Sequence, residues 1–217
     1  MKTELLRSIP YFASLDEDAL ASIAAQASRR TYSTDEMIFL EGDPCAGLFI
    51  VHAGHVKIYK ASTEGREQIL HIGSPNESFN DVAVFDGGPN PATAQAMETT
   101  ELCVIERPAM LGLFDKHPKL AQAVVAVLAA RARMLVNMVE DLSLRSVAAR
   151  LAKLLLDQAT HPDSIPLTHQ QMAARLGTVR EMVSRALREL EAEGMVHRDG
   201  RQIVITDRAA LERRASQ

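Results

Sequence analysis

The chain has 217 residues, room for one large or two modest domains, and 47% of them are hydrophobic, enough to bury a core. The net charge of −4 argues weakly against a nucleic-acid binder, but from residue 142 onward there are 12 Lys+Arg against 9 Asp+Glu, net +3, while the remainder holds 12 against 19, net −7. That asymmetry suits a sensory part joined to a DNA-binding part, and no long uncharged apolar run or signal-peptide core stands out, so a cytoplasmic chain is expected.

Leu15 to Ala27 reads as a helix: Leu15, Leu20, Ile23 and Ala24 share a side, and Asp16, Glu17 and Asp18 suit its first turn. From about Arg30 the grammar changes to short β-rich runs, EMIFLEGDP, GLFIVHAGHVKIYKA and STEGREQILHI, punctuated by Gly42, Gly47, Gly54 and Gly65. Val56 and Ile58 alternate with Lys57 and Lys60 stands beyond them, and the pattern continues to about Arg107. Many short strands with close-spaced turns predict an antiparallel roll or barrel. Cys45 and Cys103 have no motif spacing and read as free thiols, and neither CxxC nor HExxH occurs, so no protein-made metal site is expected.

Near Pro108 the period switches to a heptad. Ala121, Val124, Leu128, Leu135, Met138 and Leu142 follow it, with Arg131 the only break. A long helix with a narrow apolar seam needs a partner. A second copy in a twofold dimer is expected, the alternative being a helix packed on its own roll. Asp141 to Ser146 reads as a junction, with Ser143 a candidate cap for a following helix that holds Val147, Leu151, Leu154 and Leu155. Pro162 and Pro166 then break that helix.

Next come two short helices around a tight turn. Thr168 is a ready N-cap with Gln171 at capping-box spacing, Met172 and Leu176 fall four apart, and Gly177 can end the helix in a left-handed backbone. A second helix starts near Thr178, with Val179, Val183, Leu187 and Leu190 as its apolar stripe. Its other side shows Arg180, Glu181, Ser184, Arg185 and Arg188, the face a helix-turn-helix offers to a DNA major groove. Arginine can donate two hydrogen bonds to guanine O6 and N7, and glutamate can accept from cytosine N4. The bland alternative is a solvated face, with a Thr178–Glu181 capping box and a Glu181–Arg185 ion pair. Asp199-Gly200 then forms a hairpin turn between β-forming runs, giving a winged helix whose His197, Arg198 and Arg201 suit phosphate contact.

In this order the parts resemble the Crp/Fnr family of bacterial transcription regulators. EGDPCAGLFIVHAGHVKIYK, STEGREQIL, the long helix and LGTVREMVSRALRELEAEGMV carry the likeness, from about residue 10 to 210. The resemblance implies an α+β chain: a cyclic-nucleotide-binding-type, jelly-roll-like β-roll with N-terminal helices over 1–115, a dimerisation helix over 116–141 and a winged helix over 142–217. It implies a homodimer on twofold-symmetric double-stranded DNA, RNA polymerase as a partner, no membrane and no enzymatic activity. The family's catabolite-activator branch has Arg, Glu and Arg where this chain has Arg180, Glu181 and Arg185, with Ser184 replacing its Gly. The anaerobic-regulator branch matches Glu181, Ser184 and Arg185. A half-site close to TGTGA follows, with Thr168, His169, Gln170, Thr178, Arg188, Arg198 and Arg201 as further DNA-facing residues. Val124, Leu128, Arg131, Leu135, Met138 and Leu142 are the expected dimer interface.

The sensor departs from the resemblance. Asn80-Asp81 stand where cyclic-AMP-binding members have Gly-Glu, Pro91-Ala92 where they have Arg-Ser, and Leu135-Val136 where a Thr-Ser pair meets the adenine. Proline cannot donate and no loop arginine neutralises a phosphate, while Asp81 would repel one, so cyclic AMP is not expected to bind in the usual mode. Asn80, Asp81, Val82, Pro91, Ala92, Leu135 and Val136 are the candidate effector pocket. The effector is left unknown. The alternative is a haem-dependent regulator sensing nitric oxide or carbon monoxide, with His71 the most interesting of His52, His55, His71 and His117 as a haem ligand, and a regulator needing no effector is another. An enzyme using the roll as a cup is a third class that no clustered ligands or nucleophile motif favour.

Overall fold

The structure is a computed structural model that describes residues 3–13, 15–160, 165–200 and 202–217. It divides into two units, residues 1–60 with 70–134, and 61–69 with 135–217. Pro162 and Arg201 lie outside the described residues.

The first unit opens with α1 (Thr3–Ser8) and α2 (Glu17–Gln26). Asp16 is the N-cap of α2, its Oδ1 accepting from the Ala19 amide at 2.8 Å, so Leu15 and Asp16 precede a helix expected to contain them. Eight strands follow: β1 (Ser28–Tyr32), β2 (Met37–Phe39), β3 (Leu48–Ala53), β4 (Val56–Ala61), β5 (Glu67–Gly73), β6 (Ser78–Phe79), β7 (Thr93–Ala96) and β8 (Thr100–Ile105). They form two four-stranded sheets, ordered β1-β8-β3-β6 and β2-β7-β4-β5. The short α3 (Asp81–Asp86) leaves β6, and α4 (Arg107–Lys116) and the long α5 (Lys119–Leu144) close the series.

The strand period explains the core. On β3, Phe49 and Val51 join one apolar cluster while Leu48 and Ile50 join the other, and on β8 Leu102 and Val104 alternate in the same way with Cys103 and Ile105. These two strands are therefore apolar on both faces. One side meets the second sheet, where the rings of Phe39, Phe49 and Phe79 sit 5.2 to 6.0 Å apart. The other side meets the helices through Leu6, Ile9, Phe12, Leu20, Ile23, Met110, Leu120 and Val124. Each such side chain contributes about 1.5–3 kcal/mol by leaving water, so the double-faced strands anchor the roll. The β3–β4 turn needs Gly54: its φ is +82°, and a Cβ there would lie 2.7 Å from the Thr99 carbonyl oxygen.

The heptad of α5 divides in two. Val124 is buried in the chain's own core and Leu128 packs beside it. Val124 therefore has almost no area left for a seam, and the reading of α5 as packed on its own roll holds for this stretch. Val125, Leu135, Val136, Val139, Leu142 and Leu144 are exposed. By length and composition α5 is long and apolar enough to cross a membrane, but Arg131 and Arg133 interrupt it, so it is not a long uncharged run. The helix also continues through the expected junction to Leu144, and the cap of the next helix is Ser146, not Ser143: its Oγ accepts from the Ala149 amide at 3.2 Å.

The second unit holds α6 (Val147–Thr160), α7 (His169–Leu176), α8 (Arg180–Ala192), the hairpin β9 (Val196–Asp199) and β10 (Gln202–Ile205), and α9 (Arg208–Ala215). Leu151, Leu155, Met172, Leu176, Val183, Leu187, Leu190, Val196 and Leu211 are buried. Asp199 pairs with Gln202 as the last residue of β9, so it ends the strand and Gly200, at φ +59°, begins the turn. The sequence reading missed α9, which Asp207 caps by accepting from the Ala210 amide at 2.9 Å.

Candidate nucleic-acid interface and effector pocket

The turn between α7 and α8 is built by local hydrogen bonds. The Gln171 amide donates to Thr168 Oγ1 at 3.2 Å and the Thr168 amide donates to Gln171 Oε1 at 2.8 Å, a complete capping box. Gly177 adopts φ +63°, and the Thr178 amide donates back to the Ala173 carbonyl at 3.0 Å. Thr178 thus closes α7 and caps nothing in α8, whose N-cap is Val179, extended and without a side-chain cap bond. Val179 is about half exposed and is not part of the stripe; Val183, Ala186, Leu187 and Leu190 are. Thr168→Ala should cost about 1 kcal/mol and lower the thermal midpoint of the second unit, as read by differential scanning calorimetry.

That packing fixes which side of α8 faces out. Arg180, Glu181, Arg185 and Arg188 are exposed. Among the described residues, the side chains of Arg180, Glu181 and Arg185 take no hydrogen bond or ion pair, so the Glu181–Arg185 pair allowed by spacing is not made. Arg188 Nε donates only to the Ser184 carbonyl, at 3.3 Å. Ser184 is half-buried, its Oγ 3.3 Å from His169 Nδ1. Beside them an open cleft of about 790 Å³ is lined by Thr168, His169, Gln170, Arg180, Arg198 and Gln202, among others. Arg198 is engaged, its Nη2 2.6 Å from Glu191 Oε2.

In the roll, Asn80 sits at φ +72° and its amide donates to the Gly47 carbonyl at 3.2 Å and Asn90 Oδ1 at 3.0 Å. Asp81 follows at the start of α3, with a fully buried side chain, and Arg131 of α5 forms an ion pair with it. The same guanidinium donates to the Ser78 carbonyl and lies 3.5 Å from Ser78 Oγ. The residue that reads in sequence as a break in the seam is a tether into the roll. It also corrects the picture of Asp81 as a repelling anion, because its charge is compensated. Ala92 is buried, while Val82 is about half exposed. Pro91 is exposed, and its carbonyl accepts from Lys60 Nζ at 3.3 Å. Leu135 and Val136 fall in the second unit and are exposed.

Two families of domain match the chain: the cyclic nucleotide-binding domain over residues 29–117 and the Crp-like helix-turn-helix domain over residues 149–214. The cyclic AMP receptor protein of Thermus thermophilus is 31% identical over 210 residues, covering 95% of this chain and 97% of that one. The chain belongs to the Crp/Fnr family of transcription regulators. A CRP-like cAMP-activated global transcriptional regulator of Mycobacterium tuberculosis is 29% identical across 98% of this chain and 99% of the relative. Among solved structures, FixK2 of Bradyrhizobium japonicum superposes with a TM-score of 0.77 at 26% identity, over 86% of this chain and 96% of that one.

As a Crp/Fnr member the chain is a regulator and not an enzyme, and its α7–α8 unit is a DNA-binding helix-turn-helix. Its roll is that of a cyclic-nucleotide-binding domain, yet the residues fit only part of such a ligand. The Asp81 carboxylate, where a sugar hydroxyl would be held, has no exposed surface and is paired with Arg131. A cyclic phosphate needs donors, and Pro91 has no amide hydrogen, Ala92 has no side-chain donor, and Arg131 is spent on Asp81 and Ser78. Pro91 and Ala92 thus offer no side-chain donor to a cyclic phosphate. For haem, the candidate axial ligand His71 has its Nε2 3.0 Å from Glu77 Oε2, a contact that ligation through that nitrogen would have to break. Burial raises the thiol pKa of Cys103 and of Cys45 above the ordinary value, which suits inert thiols.

Proposed function

We propose that this regulator acts in the cytoplasm as a homodimer on a twofold-symmetric DNA site with TGTGA-like half-sites, together with RNA polymerase. Arg180 and Arg185 take guanines, Glu181 takes the opposing cytosine, and Ser184 reads a neighbouring step. Thr168, His169, Gln170, Thr178, Arg188, Arg198 and Arg201 position the phosphates. The observation that carries the reading is the uncommitted state of Arg180, Glu181 and Arg185 on the open face of α8. Selection from random duplexes with the full-length chain should enrich an inverted repeat whose half-sites are one helical turn apart. Enrichment of no repeat would end it.

The dimer assignment draws on the exposed apolar part of α5, with Leu135, Val136, Val139 and Leu142 as its centre and Met138 half-buried among them. Residues 1–115 serve as the sensing roll, 116–141 as the dimerisation helix and 142–217 as the DNA-binding domain. Val136→Glu with Val139→Glu should convert a dimer to a monomer in sedimentation velocity; a wild type that is monomeric at all concentrations would remove the dimer.

The effector is not classical cyclic AMP. The relatives' names point the other way, but the donors that a cyclic phosphate needs are replaced here by Pro91 and Ala92. Titration calorimetry with cyclic AMP should show no tight binding, and the nucleotide should leave operator affinity unchanged. A second reading, regulation without a small molecule, is favoured by one observation: Arg131 satisfies Asp81 with no ligand needed.

A further inference from the structure

We propose that α9 is a strut that aims the base-reading helix. Arg214 of α9 and Glu189 of α8 hold the far end of α8, and Arg145 at the α5–α6 junction holds α9, so that these residues set how well Arg185 meets its base. The inference rests on the assignment of α8 as the base-reading helix, and it adds positioning residues that touch no base themselves.

All of these residues lie in the second unit. Arg145 Nη1 donates to the carbonyl of Ala215, the last residue of α9. The same guanidinium has its Nε 2.8 Å from Asp141 Oδ1 and its Nη2 3.4 Å from Glu140 Oε1, both carboxylates on α5. One residue before Ala215, Arg214 Nη2 forms an ion pair with Glu189 Oε1 of α8. The body of α9 lies along α6, with Leu211 and Ala215 buried. The contacts therefore run from the end of α5, through the last turn of α9, to the C-terminal half of α8.

The two ends of α8 are held differently. The Arg180 end follows a closed backbone turn, with Gly177 at φ +63° and the Thr178 amide bonded to the Ala173 carbonyl. Beyond it α8 is seated by Val183, Ala186, Leu187 and Leu190, and apolar burial has no preferred direction. The Arg198–Glu191 pair also lies at this end, but it ties α8 to the strand that directly follows it, not to α5. The Arg214–Glu189 pair supplies a directed, charge-assisted contact to another element. At 1.5 Å per residue, Glu189 stands about 6 Å along the axis from Arg185 and about 13 Å from Arg180. A recognition group keeps its geometry only if held within about 0.5 Å and 10–20°. Loss of the pin therefore moves Arg185 more than Arg180. Stability is a separate matter, because both partners are partly exposed and such a pair adds little to it.

The test uses the full-length chain, the selected inverted repeat, and two mismatched duplexes, one altered at the step whose preference Arg185→Ala relaxes and one at the step of Arg180→Ala. Affinities are read by fluorescence anisotropy. Arg214→Gln and Glu189→Gln should each lower discrimination at the Arg185 step roughly three- to tenfold, part of what a bidentate contact supplies, and at the Arg180 step by under about twofold. Arg145→Gln should show the same asymmetry. The double variant Arg214→Glu, Glu189→Arg should restore discrimination, and the thermal midpoints of Arg214→Gln and Glu189→Gln should stay within about 4 °C of wild type. Discrimination that is unchanged, or lost equally at both steps, overturns the strut, as does a charge exchange that restores nothing. An Arg214→Gln variant that weakens every duplex alike with a shallower salt dependence, while Glu189→Gln strengthens binding, makes Arg214 a phosphate contact and also overturns it. Wild-type binding with no base preference at either step overturns the reading of α8 itself.

Discussion

Arg131→Met should destabilise the folded chain by about 3–5 kcal/mol, more than any other single side-chain replacement outside the apolar cores. Asp81 has a side chain with no exposure, and no described hydrogen bond reaches either carboxylate oxygen, so the ion pair with Arg131 is what compensates the charge. Removing the arginine strands that charge in a low-dielectric interior, where the full desolvation cost falls on the folded state. Methionine keeps most of the side-chain volume, so a cavity adds little. The double variant Arg131→Met, Asp81→Leu should recover most of the loss, because it removes both charges together. Urea unfolding at one fixed protein concentration reads both, which keeps any dimer contribution constant. A single variant that loses under about 1 kcal/mol, the range of an exposed pair, would show that water reaches Asp81. The Arg198–Glu191 pair is the internal control. Its side chains are partly exposed and reach solvent, and breaking it should matter little to stability.

The contrast between these two pairs shows what sequence can and cannot disclose. Arg198 and Glu191 are seven residues apart across one helix end, whereas Arg131 and Asp81 are fifty apart and meet only after the roll and α5 have packed. Periodicity registers Arg131 only as a polar residue in an apolar seam. The same limit misplaced Val124, since an i, i+7 pattern does not say whether the partner is a second copy or the chain's own sheet. The two-helix unit was legible because its determinants are local: a cap with its Gln three residues on, a glycine at φ +63°, and an apolar stripe. The errors there are also local. Thr178 and Ser143 had cap chemistry at usable spacing, but Thr178 is taken up in closing α7 and Ser143 lies inside α5. Buried apolar positions are few in α9, Leu211 and Ala215, so its pattern is faint and its cap, Asp207, is the clearer signal.

The second large effect belongs to the recognition helix. Arg185→Ala, and separately Arg180→Ala, should each cost about 1–3 kcal/mol of binding to the selected operator and relax preference at one G·C step, leaving the other steps unchanged. The physical ground is the fork geometry of guanidinium, which donates two parallel hydrogen bonds to guanine O6 and N7 and finds no such pair on adenine, where N6 is itself a donor. Both side chains are free to do this without first breaking an internal bond, so their whole interaction appears as discrimination. Arg→Lys should recover the charge and little of the discrimination, because an ammonium is a point donor without the fork. The salt dependence separates this from the alternative. A base contact leaves the slope of log affinity against log salt almost intact, while a phosphate contact lowers it by about 1 and weakens every sequence alike. If Arg185→Ala or Arg180→Ala behaves in the second way, that residue holds the backbone, and the reading of G must pass to another side chain of α8.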